Sequence, residues 1–334
     1  MKVGIIGAGL IGDKRANVIL NLSKEEIISV FDIDKKKSKK LAQKIGCKVA
    51  TNYQELINDK DIDIVIIAVP TNVSLKICKE SIGAKKNILC EKPLGRNYKE
   101  AKFLFDLAKK EKVILKVGFN HRFHQAIKKA HQLVKNRVIG KLMYIRAVYG
   151  HGGRKGYDTE WRMQRKISGG GELLDQGIHI IDLARWFLGE FKEGIALNEN
   201  LFWRKSSLED NSFSILKTND RKLIFFQVST TQWKNKFLFE IFGEKGYIIV
   251  DGLGGSYGKE KLIVGIRKKL GERPDEEIFE FEERDISWEE EWKEFTSAVK
   301  EKREPLGNSY DGMMANKIID ALYKSSRDKK VIRI

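Results

Sequence analysis

A chain of 334 residues, 42% of them hydrophobic, is too long for one ordinary domain, so we expect two domains with separate cores. No stretch approaches the ~18–20 consecutive apolar residues of a membrane-spanning helix, and we therefore predict no membrane partner. The formal net charge of +17 would suit nucleic acid, but the lysines are spread along the chain instead of forming a patch. We predict a solvated basic surface and no nucleic-acid partner, while a basic groove for an anionic substrate stays open.

The three cysteines, Cys47, Cys78 and Cys90, lie far apart and have no metal-ligand spacing. An odd number of separated cysteines is typical of free thiols in a reducing compartment. The apolar run at residues 3–6 is too short for the core of a signal peptide. These features predict a cytoplasmic protein and no metal site.

The first 118 residues alternate short apolar runs with segments of helical periodicity. The predicted strands are residues 2–6, 27–31, 62–69, 87–89 and 113–117, and the predicted helices between them are residues 11–22, 34–45, 73–84 and 98–110. Asp34 and Asn97 are the expected N-caps, and Gly46 is the expected stop of the second helix. This alternation predicts an α/β domain with a doubly wound parallel sheet, a Rossmann domain, over residues 1–120.

The pattern changes after residue 120. A helix is predicted at 124–135, a strand at 142–149, a glycine-rich aromatic loop at 150–161 and a further helix from the glycine run 169–171 to residue 188. Successive strands follow at 195–204, 212–218, 223–230, 237–242, 247–250 and 261–266, and two helices at 288–300 and 310–325 end the chain. Strands without helices between them favour antiparallel pairing. Residues 121–334 are therefore predicted to form an α+β domain with a large, mostly antiparallel sheet.

A glycine-rich turn follows the first predicted strand. Gly7, Gly9 and Gly12 form a GxGxxG motif that opens a helix, and Asp32 stands twenty residues further on, at the end of the second strand. This is the full context of a dinucleotide-binding fingerprint, in which the turn approaches a pyrophosphate and the helix N-terminus faces it. The predicted cofactor-binding residues here are Gly7, Ala8, Gly9, Leu10, Ile11, Gly12 and Asp32.

Asp32 also predicts which dinucleotide is bound. A carboxylate at this position accepts hydrogen bonds from the ribose hydroxyls and repels a 2′-phosphate. We therefore predict NAD and regard NADP as the less favoured cofactor, although the lysines at 35–37 would soften the preference.

A lysine follows the fourth predicted strand, in the segment Glu91-Lys92-Pro93. Ligands of open α/β sheets bind beyond the carboxyl ends of the strands, so Lys92 is expected at the cofactor crevice. As a tripeptide the segment is unspecific, and an ordinary solvated lysine is the alternative.

A second candidate group is the pair Asp175 and His179 after the glycine run 169–171. A spacing of four would place both residues on one face of a helix, with Asp182 within reach of the same side. Spacing alone favours a local hydrogen bond over an active site, and no second histidine or carboxylate completes a metal-ligand set.

Taken together, these segments resemble the Gfo/Idh/MocA family of glucose–fructose oxidoreductases and inositol dehydrogenases. The resemblance covers nearly the whole chain: the GxGxxG turn, the run 88–94 around Glu-Lys-Pro, the segment 118–123 at the domain junction, and the segment 175–186 that begins Asp-Gln-Gly-Ile-His. It implies an NAD(P)-dependent oxidoreductase that transfers a hydride between nicotinamide and a secondary alcohol or ketone of a sugar, sugar derivative or cyclitol.

The resemblance also implies roles for three residues. His179 would be the general base for the hydroxyl proton, and Asp175 would orient its imidazole or share its proton. Lys92 would hydrogen-bond the reacting oxygen and stabilise the charge that develops there. Glu91 and Lys92 would also contact the cofactor. The substrate would lie between the nicotinamide and the sheet of the second domain.

Polar and aromatic residues near the junction and in the 150–161 loop are candidates for substrate binding, because aromatic faces suit sugar rings and arginines suit anions. They are Asn120, Arg122, His151, Arg154, Tyr157, Trp161 and Arg162. The basic loop predicts a preference for a nucleotide-linked or acidic sugar. The alternative to a substrate site is that Trp161 packs in a core and the arginines are solvated surface residues.

By the same resemblance we expect a homodimer or homotetramer, with aromatic side chains of the late strands facing a second subunit. These are Trp203, Phe225, Phe226, Trp233, Phe237 and Phe239. Two other functions stay open: a dinucleotide-binding sensor without turnover, and an enzyme that uses NAD transiently for glycoside hydrolysis or elimination with no net redox change.

Overall fold

The computed structural model describes residues 1–22, 24–281 and 284–334. They form two compact units. Unit 1 comprises residues 1–119 and 288–316, and unit 2 comprises residues 120–287 and 317–334. The first boundary lies one residue from the expected position, but residues 288–316 were expected in the second domain.

The described part of unit 1 contains a six-stranded parallel sheet in the order β3-β2-β1-β4-β5-β6. Its strands are β1 (Lys2–Ile6), β2 (Glu26–Phe31), β3 (Lys48–Val49), β4 (Ile64–Ile67), β5 (Asn87–Cys90) and β6 (Leu115–Val117). The helices of the same region are α1 (Leu10–Leu22), α2 (Lys35–Ile45), α3 (Tyr53–Asn58), α4 (Thr71–Gly83) and α5 (Tyr98–Glu111). This strand order is that of a Rossmann domain and confirms the predicted fold.

The helix boundaries of unit 1 follow local side-chain chemistry. The Asp34 carboxylate accepts hydrogen bonds from the backbone N–H groups of Lys36 and Lys37, and Asn97 accepts one from the N–H of Glu100. Gly46 has φ +81°, the left-handed conformation that ends a helix at low cost. Both predicted N-caps and the predicted stop are confirmed.

Residues 288–316 complete the core of unit 1. Trp292 and Phe295 of helix α10 (Ser287–Glu301) are buried in one cluster with Val3 and Ile5 of β1. The backbone N–H of Val117 donates to the carbonyl of Gly307 at 2.8 Å. The helical periodicity shows that α10 has an apolar face, but it does not specify which sheet that face covers.

The described part of unit 2 contains a nine-stranded sheet in the order β14-β13-β12-β11-β7-β10-β9-β8-β15. Its strands are β7 (Leu142–Gly150), β8 (Phe191–Glu199), β9 (Asn211–Thr218), β10 (Leu223–Ser229), β11 (Lys236–Gly243), β12 (Gly246–Asp251), β13 (Lys261–Ile266), β14 (Asp275–Glu280) and β15 (Ile332–Arg333). The β7–β10 pair is parallel and its other described pairs are antiparallel, which confirms the predicted α+β unit.

Unit 2 begins with a 3₁₀ turn at Asn120–Phe123. Its helices are α6 (Gln125–Lys135), α7 (Arg165–Ser168), α8 (Glu172–Asp175) and α9 (Gly177–Leu188), and α11 (Ser309–Asp328) runs from residues of unit 1 into unit 2.

Three strands of unit 2 differ from the predictions, and one of them is the two-residue strand β15, which was not predicted. The strand expected at 195–204 lies at Phe191–Glu199, because the carboxylate of Asp210 accepts the N–H groups of residues 201–203 and bends that segment into a turn. Strand β14 was not predicted, since its sequence is mostly acidic and it lies at the sheet edge, where charge is common. Among the described helices, none is long and apolar enough to cross a membrane.

Candidate functional site

The glycine turn lies between β1 and α1, and two of its glycines are required by close backbone approach. A Cβ on Gly7, which has φ +102°, would lie 2.2 Å from the carbonyl oxygen of Ala68. A Cβ on Gly12 would lie 1.8 Å from the carbonyl oxygen of Gly7, so only glycine lets α1 approach the turn. At Gly9 a Cβ would meet no heavy atom within 4 Å, which means that the turn presents bare, open backbone there.

Asp32 stabilises this turn. Its carboxylate accepts the N–H of Ala8 at 2.6 Å with one oxygen and the N–H of Asp34 at 2.8 Å with the other. The carboxylate is thereby fixed at the end of β2, beside the turn. Its predicted contact with a ribose uses acceptor capacity that remains on the same oxygens, since a carboxylate offers about four lone-pair positions.

These residues fit a dinucleotide. The open backbone at Gly9, the start of α1 at Leu10 and the fixed carboxylate of Asp32 match the three parts of the fingerprint: close approach, a helix N-terminus for the diphosphate and an acceptor for the ribose. Leu10, Ile11 and Gly12, the predicted cofactor contacts, form the first turn of α1, which begins one residue before the predicted helix.

Lys92 is the second residue after β5, whose carboxyl end lies at the same end of the sheet as the glycine turn, two strands away. The preceding residue, Glu91, is fixed from two sides. Its backbone N–H donates to Ile67, and its carboxylate accepts from Nε of Arg15 at 2.8 Å. Glu91, predicted to contact the cofactor, is thus held by an arginine of α1.

Arg15 also binds a second carboxylate. Its Nη1 donates to Glu291 of α10 at 2.6 Å, and its guanidinium packs over the ring of Trp288 at 4.3 Å. The side chains of Arg15 and Glu291 are 1% and 0% exposed. Burial lowers the pKa of Arg15, but the two carboxylates, Glu291 and then Glu91, outweigh it and raise the pKa above the usual value. Sequence reasoning did not identify Arg15 or Glu291, because the two residues are 276 positions apart.

Asp175 and His179 do not lie on one continuous helix. Asp175 is the last residue of α8, whereas His179 lies in the first turn of α9, and Gln176 separates the two helices. The expectation of a shared helix is therefore wrong, because helix α8 ends after four residues and a new helix begins at Gly177. The N–H of His179 bonds back to the carbonyl of Gln176 at 3.1 Å.

Several groups around His179 were not predicted. The His121 ring stacks on it with centroids 3.9 Å apart, and Tyr149 of β7 lies edge-on at 6.3 Å. Burial and a hydrogen bond to Tyr257 raise the pKa of Tyr149, as do the nearby carboxylates of Glu172 and Asp175. Burial likewise raises the pKa of Tyr257 to about 12, so both phenols stay protonated near neutrality. His121 lies within the segment 118–123 and Glu172 follows the glycine run, but neither spacing indicates a contact.

The three predicted substrate arginines each lie against a carboxylate. Arg154 makes two hydrogen bonds to Glu160, at 2.7 and 2.6 Å. Arg122 is buried and makes two hydrogen bonds to Asp182, at 2.8 and 2.6 Å. Asp182 is therefore the partner of Arg122. Arg162 lies 3.5 Å from Asp175. The charges of these three arginines are therefore balanced locally.

The other predicted substrate residues fall into two groups. His151 and Tyr157 contact each other edge-on at 5.6 Å, and the ring of Trp161 lies 4.5 Å from the Arg162 guanidinium, which places this loop near Asp175. Tyr157 is buried, and burial raises its pKa. Asn120 donates a hydrogen bond to the Ser287 hydroxyl, and its Oδ1 lies 3.2 Å from Nδ1 of His121. Among the described residues, no group of three or more His, Cys, Asp or Glu side chains is arranged to hold a metal ion.

Comparisons with known proteins match both units. A model of the Gfo/Idh/MocA family, described as an oxidoreductase family with an NAD-binding Rossmann fold, matches residues 1–119, and a model of the C-terminal domain of this family matches residues 127–249. Myo-inositol 2-dehydrogenase of Thermotoga maritima is 28% identical over 342 aligned positions, which cover 100% of this chain and 98% of that protein.

Two further comparisons concern levoglucosan dehydrogenases. The enzyme of Pseudarthrobacter phenanthrenivorans is 33% identical over 153 residues, which cover 45% of this chain and 39% of that protein. A solved levoglucosan dehydrogenase, in complex with NADH and levoglucosan, has a TM-score of 0.91 at 21% identity and covers 100% of this chain and 99% of its own. At this identity the likeness shows a shared fold.

Proposed function

Because the chain belongs to the Gfo/Idh/MocA oxidoreductase family, we propose that it oxidises a secondary alcohol of a neutral sugar or cyclitol, or reduces the corresponding ketone. Membership confirms the predicted class, a nicotinamide-dependent oxidoreductase, and NAD as its cofactor. The observation that carries the proposal is the position of Lys92 at the carboxyl end of the sheet, two strands from the glycine turn. A substrate beside the nicotinamide needs a cation there to stabilise the charge that develops on its reacting oxygen.

The proposed chemistry divides between three side chains. His179 accepts the hydroxyl proton on a neutral ring nitrogen, the usual role of a histidine in general acid–base catalysis. Lys92 donates a hydrogen bond to the reacting oxygen and stabilises its developing charge. Asp175 orients the imidazole and also lies 3.5 Å from Arg162. When bound, NAD supplies the hydride acceptor at C4 of its nicotinamide.

The proposed substrate is neutral because Arg122, Arg154 and Arg162 are each matched by a carboxylate. An anionic substrate would have to displace those carboxylates, whereas hydroxyl groups can share their hydrogen bonds. The Thermotoga maritima relative is a myo-inositol 2-dehydrogenase, which supports a cyclitol or similar polyol as substrate. His151 and Trp161 are the proposed contacts to its ring faces and hydroxyls, whereas Tyr157 is buried against Met163 and Leu208 and supports the loop.

The test is a substrate panel assayed by NADH absorbance. Cyclitols and neutral sugars should show kcat/KM values well above those of uronic acids and nucleotide-linked sugars. Faster turnover of the charged members would contradict the neutral substrate. NAD binding without oxidation of any member of the panel would support a dinucleotide-binding sensor. Product formation without net NADH would support hydrolysis or elimination. The presence of Lys92 and His179 argues against the sensor, because a sensor needs neither group.

The cofactor preference is tested at Asp32. Asp32→Asn keeps the size of the side chain but removes the charge that repels a 2′-phosphate, so the ratio of kcat/KM for NAD to that for NADP should fall by about tenfold or more. The matched control is Asp34→Asn, which removes a neighbouring carboxylate but keeps an N-capping side chain. A parent enzyme that prefers NADP by more than about tenfold would overturn the assignment.

We also propose a homodimer or homotetramer assembled through the sheet of unit 2. Ile195, Ile215 and Phe225 are cross-strand neighbours on β8, β9 and β10, and they are 37%, 44% and 45% exposed. Such an apolar row on an open sheet face is typical of a subunit contact. Phe226, Phe237 and Phe239, which were expected on this face, are instead buried in the core, because they point to the other side of their strands.

Charging this sheet face should dissociate the oligomer. Phe225→Glu is expected to shift the mass measured by light scattering to that of a monomer at micromolar concentration. The matched control is Phe103→Glu on α5, which is 43% exposed but lies in unit 1. A parent protein that is already monomeric would contradict the proposal.

A cytoplasmic location is proposed as well, supported by the three cysteines, which are free thiols in the structure.

A further inference from the structure

Two buried imidazoles lie face to face in unit 2. The rings of His121 and His179 have centroids 3.9 Å apart and planes inclined by 21°. His121 comes from the 3₁₀ turn at Asn120–Phe123 and His179 from α9, so each ring is supported by a different element. The proposed mechanism uses His179 and assigns nothing to His121.

A chain of hydrogen bonds fixes the proton on one nitrogen of His121. The Asp285 carboxylate can only accept, and it receives the Ser287 hydroxyl at 2.6 Å. The Ser287 oxygen then accepts from Nδ2 of Asn120 at 3.0 Å. The Oδ1 of Asn120 is therefore left to accept from Nδ1 of His121, at 3.2 Å. His121 thus carries its proton on Nδ1 and gains charge at Nε2.

This chain makes His121 the ring that takes a proton first. An imidazolium that donates through Nδ1 toward a carboxylate is stabilised relative to one that does not. Once His121 is charged, a second positive charge on His179, with ring centroids 3.9 Å apart, is disfavoured by electrostatic repulsion. At an effective dielectric constant of about 20, this repulsion lowers the pKa of His179 by about 3.

Other groups around the rings limit that effect. The titratable side chains that face the two rings are Tyr149 of β7, Tyr257 beside it, Glu172 and Asp175 of α8, and His124 with its partner Glu260. Arg122 and Asp182, on the same elements as the rings, form a buried ion pair with each other. Tyr144 and Arg146 lie on the opposite face of β7 from Tyr149, where Arg146 pairs with Glu240. Strand β10, which also packs against α9, has no titratable side chain. The carboxylates favour one proton on the pair, and mutual repulsion of the rings disfavours the second.

We propose that His121 is a positioning residue that stacks on His179 and holds its pKa down, so that His179 stays neutral and able to accept a proton in moderately acidic solution. The proposal concerns the site of the proposed function and depends on it for the catalytic consequence. The coupling between the two rings is a property of the folded protein and can be measured without substrate.

The direct test is a titration of carbon-13 histidine-labelled protein by NMR. The chain has five histidines, and His179 is assigned from the signal lost in His179→Asn. In His121→Phe, which keeps an aromatic ring on His179 but removes the charge, the pKa of His179 should rise by 1 to 3. His131→Phe is the control, since that imidazole stacks on Trp186 instead, and it should leave the pKa of His179 unchanged. An unchanged pKa in His121→Phe overturns the proposal.

Ser287→Ala tests the same coupling from the far end of the hydrogen-bond chain, and it serves also if His121→Phe does not fold. It removes the link to Asp285, so His121 binds its proton less tightly and the pKa of His179 should rise by a smaller amount. No rise in either folded variant contradicts the proposal.

The pH profile separates this inference from the proposed function. If His179 is the base, the acidic limb of kcat/KM in His121→Phe should move to higher pH by the same amount as the NMR pKa. If the NMR pKa rises but the limb does not move, the coupling between the rings stands and the assignment of His179 as base fails.

Discussion

Replacing His179 with alanine is expected to lower kcat by about 10²–10⁴-fold, the usual contribution of a positioned general base. The loss should be largest near neutral pH and smaller at high pH, where hydroxide can take over the proton. Binding of NAD should change little, because the glycine turn and Asp32 lie in unit 1 and His179 lies in unit 2. The measurement is NADH formation between pH 6 and 9 with the best member of the substrate panel.

His131→Phe is the matched control for this prediction as well. It removes another partly buried imidazole of unit 2 that stacks on an aromatic ring, with centroids 3.7 Å apart, and burial lowers the pKa of His131 to about 4. A loss caused only by disturbed packing would be similar in the two variants. If His179→Ala keeps kcat within about threefold of the parent across this pH range, His179 is not the base.

The features that the sequence predicts well are those that depend on neighbouring residues. The turn at Gly7, the N-caps Asp34 and Asn97 and the position of Lys92 after β5 each follow from a few consecutive side chains. Local chemistry and strand alternation are enough for a Rossmann unit, because each strand and helix is specified by its own periodicity.

The features that the sequence missed depend on pairing between distant segments. Spacing suggested that Asp175 and His179 share a helix, but the helix stops at Asp175. The arginines of the 150–161 loop and of the junction carry no mark of the carboxylates that neutralise them, so the sequence favoured an anionic substrate. The stack of His121 on His179 is likewise formed across 58 positions of sequence.

Replacing Arg15 with methionine is expected to lower the free energy of unfolding of unit 1 by about 3–5 kcal/mol, because it leaves the buried Glu291 and the partly buried Glu91 without their cation. Lys116, which lies 3.3 Å from Glu291, relieves only part of that cost, since its Nζ also donates to the carbonyl of Leu306. The measurement is urea denaturation followed by tryptophan fluorescence. Two of the six tryptophans, Trp288 and Trp292, lie in unit 1 and the other four lie in unit 2, so the unit 1 transition is identified as the one that the substitution moves.

Arg303→Met separates a buried ion pair from an exposed one. Arg303 also contacts two carboxylates, Glu294 and Glu301, but its side chain is 42% exposed, and such pairs contribute about 1 kcal/mol or less. A second comparison removes the stranded charges: Arg15→Met combined with Glu91→Gln and Glu291→Gln should recover most of the lost stability. If Arg15→Met costs no more than Arg303→Met, the buried cluster does not hold unit 1 together. Recovery of stability without recovery of kcat in the triple variant would show that the charges of Arg15 and Glu91 serve turnover as well as the fold, since Arg15 holds the carboxylate of a predicted cofactor contact.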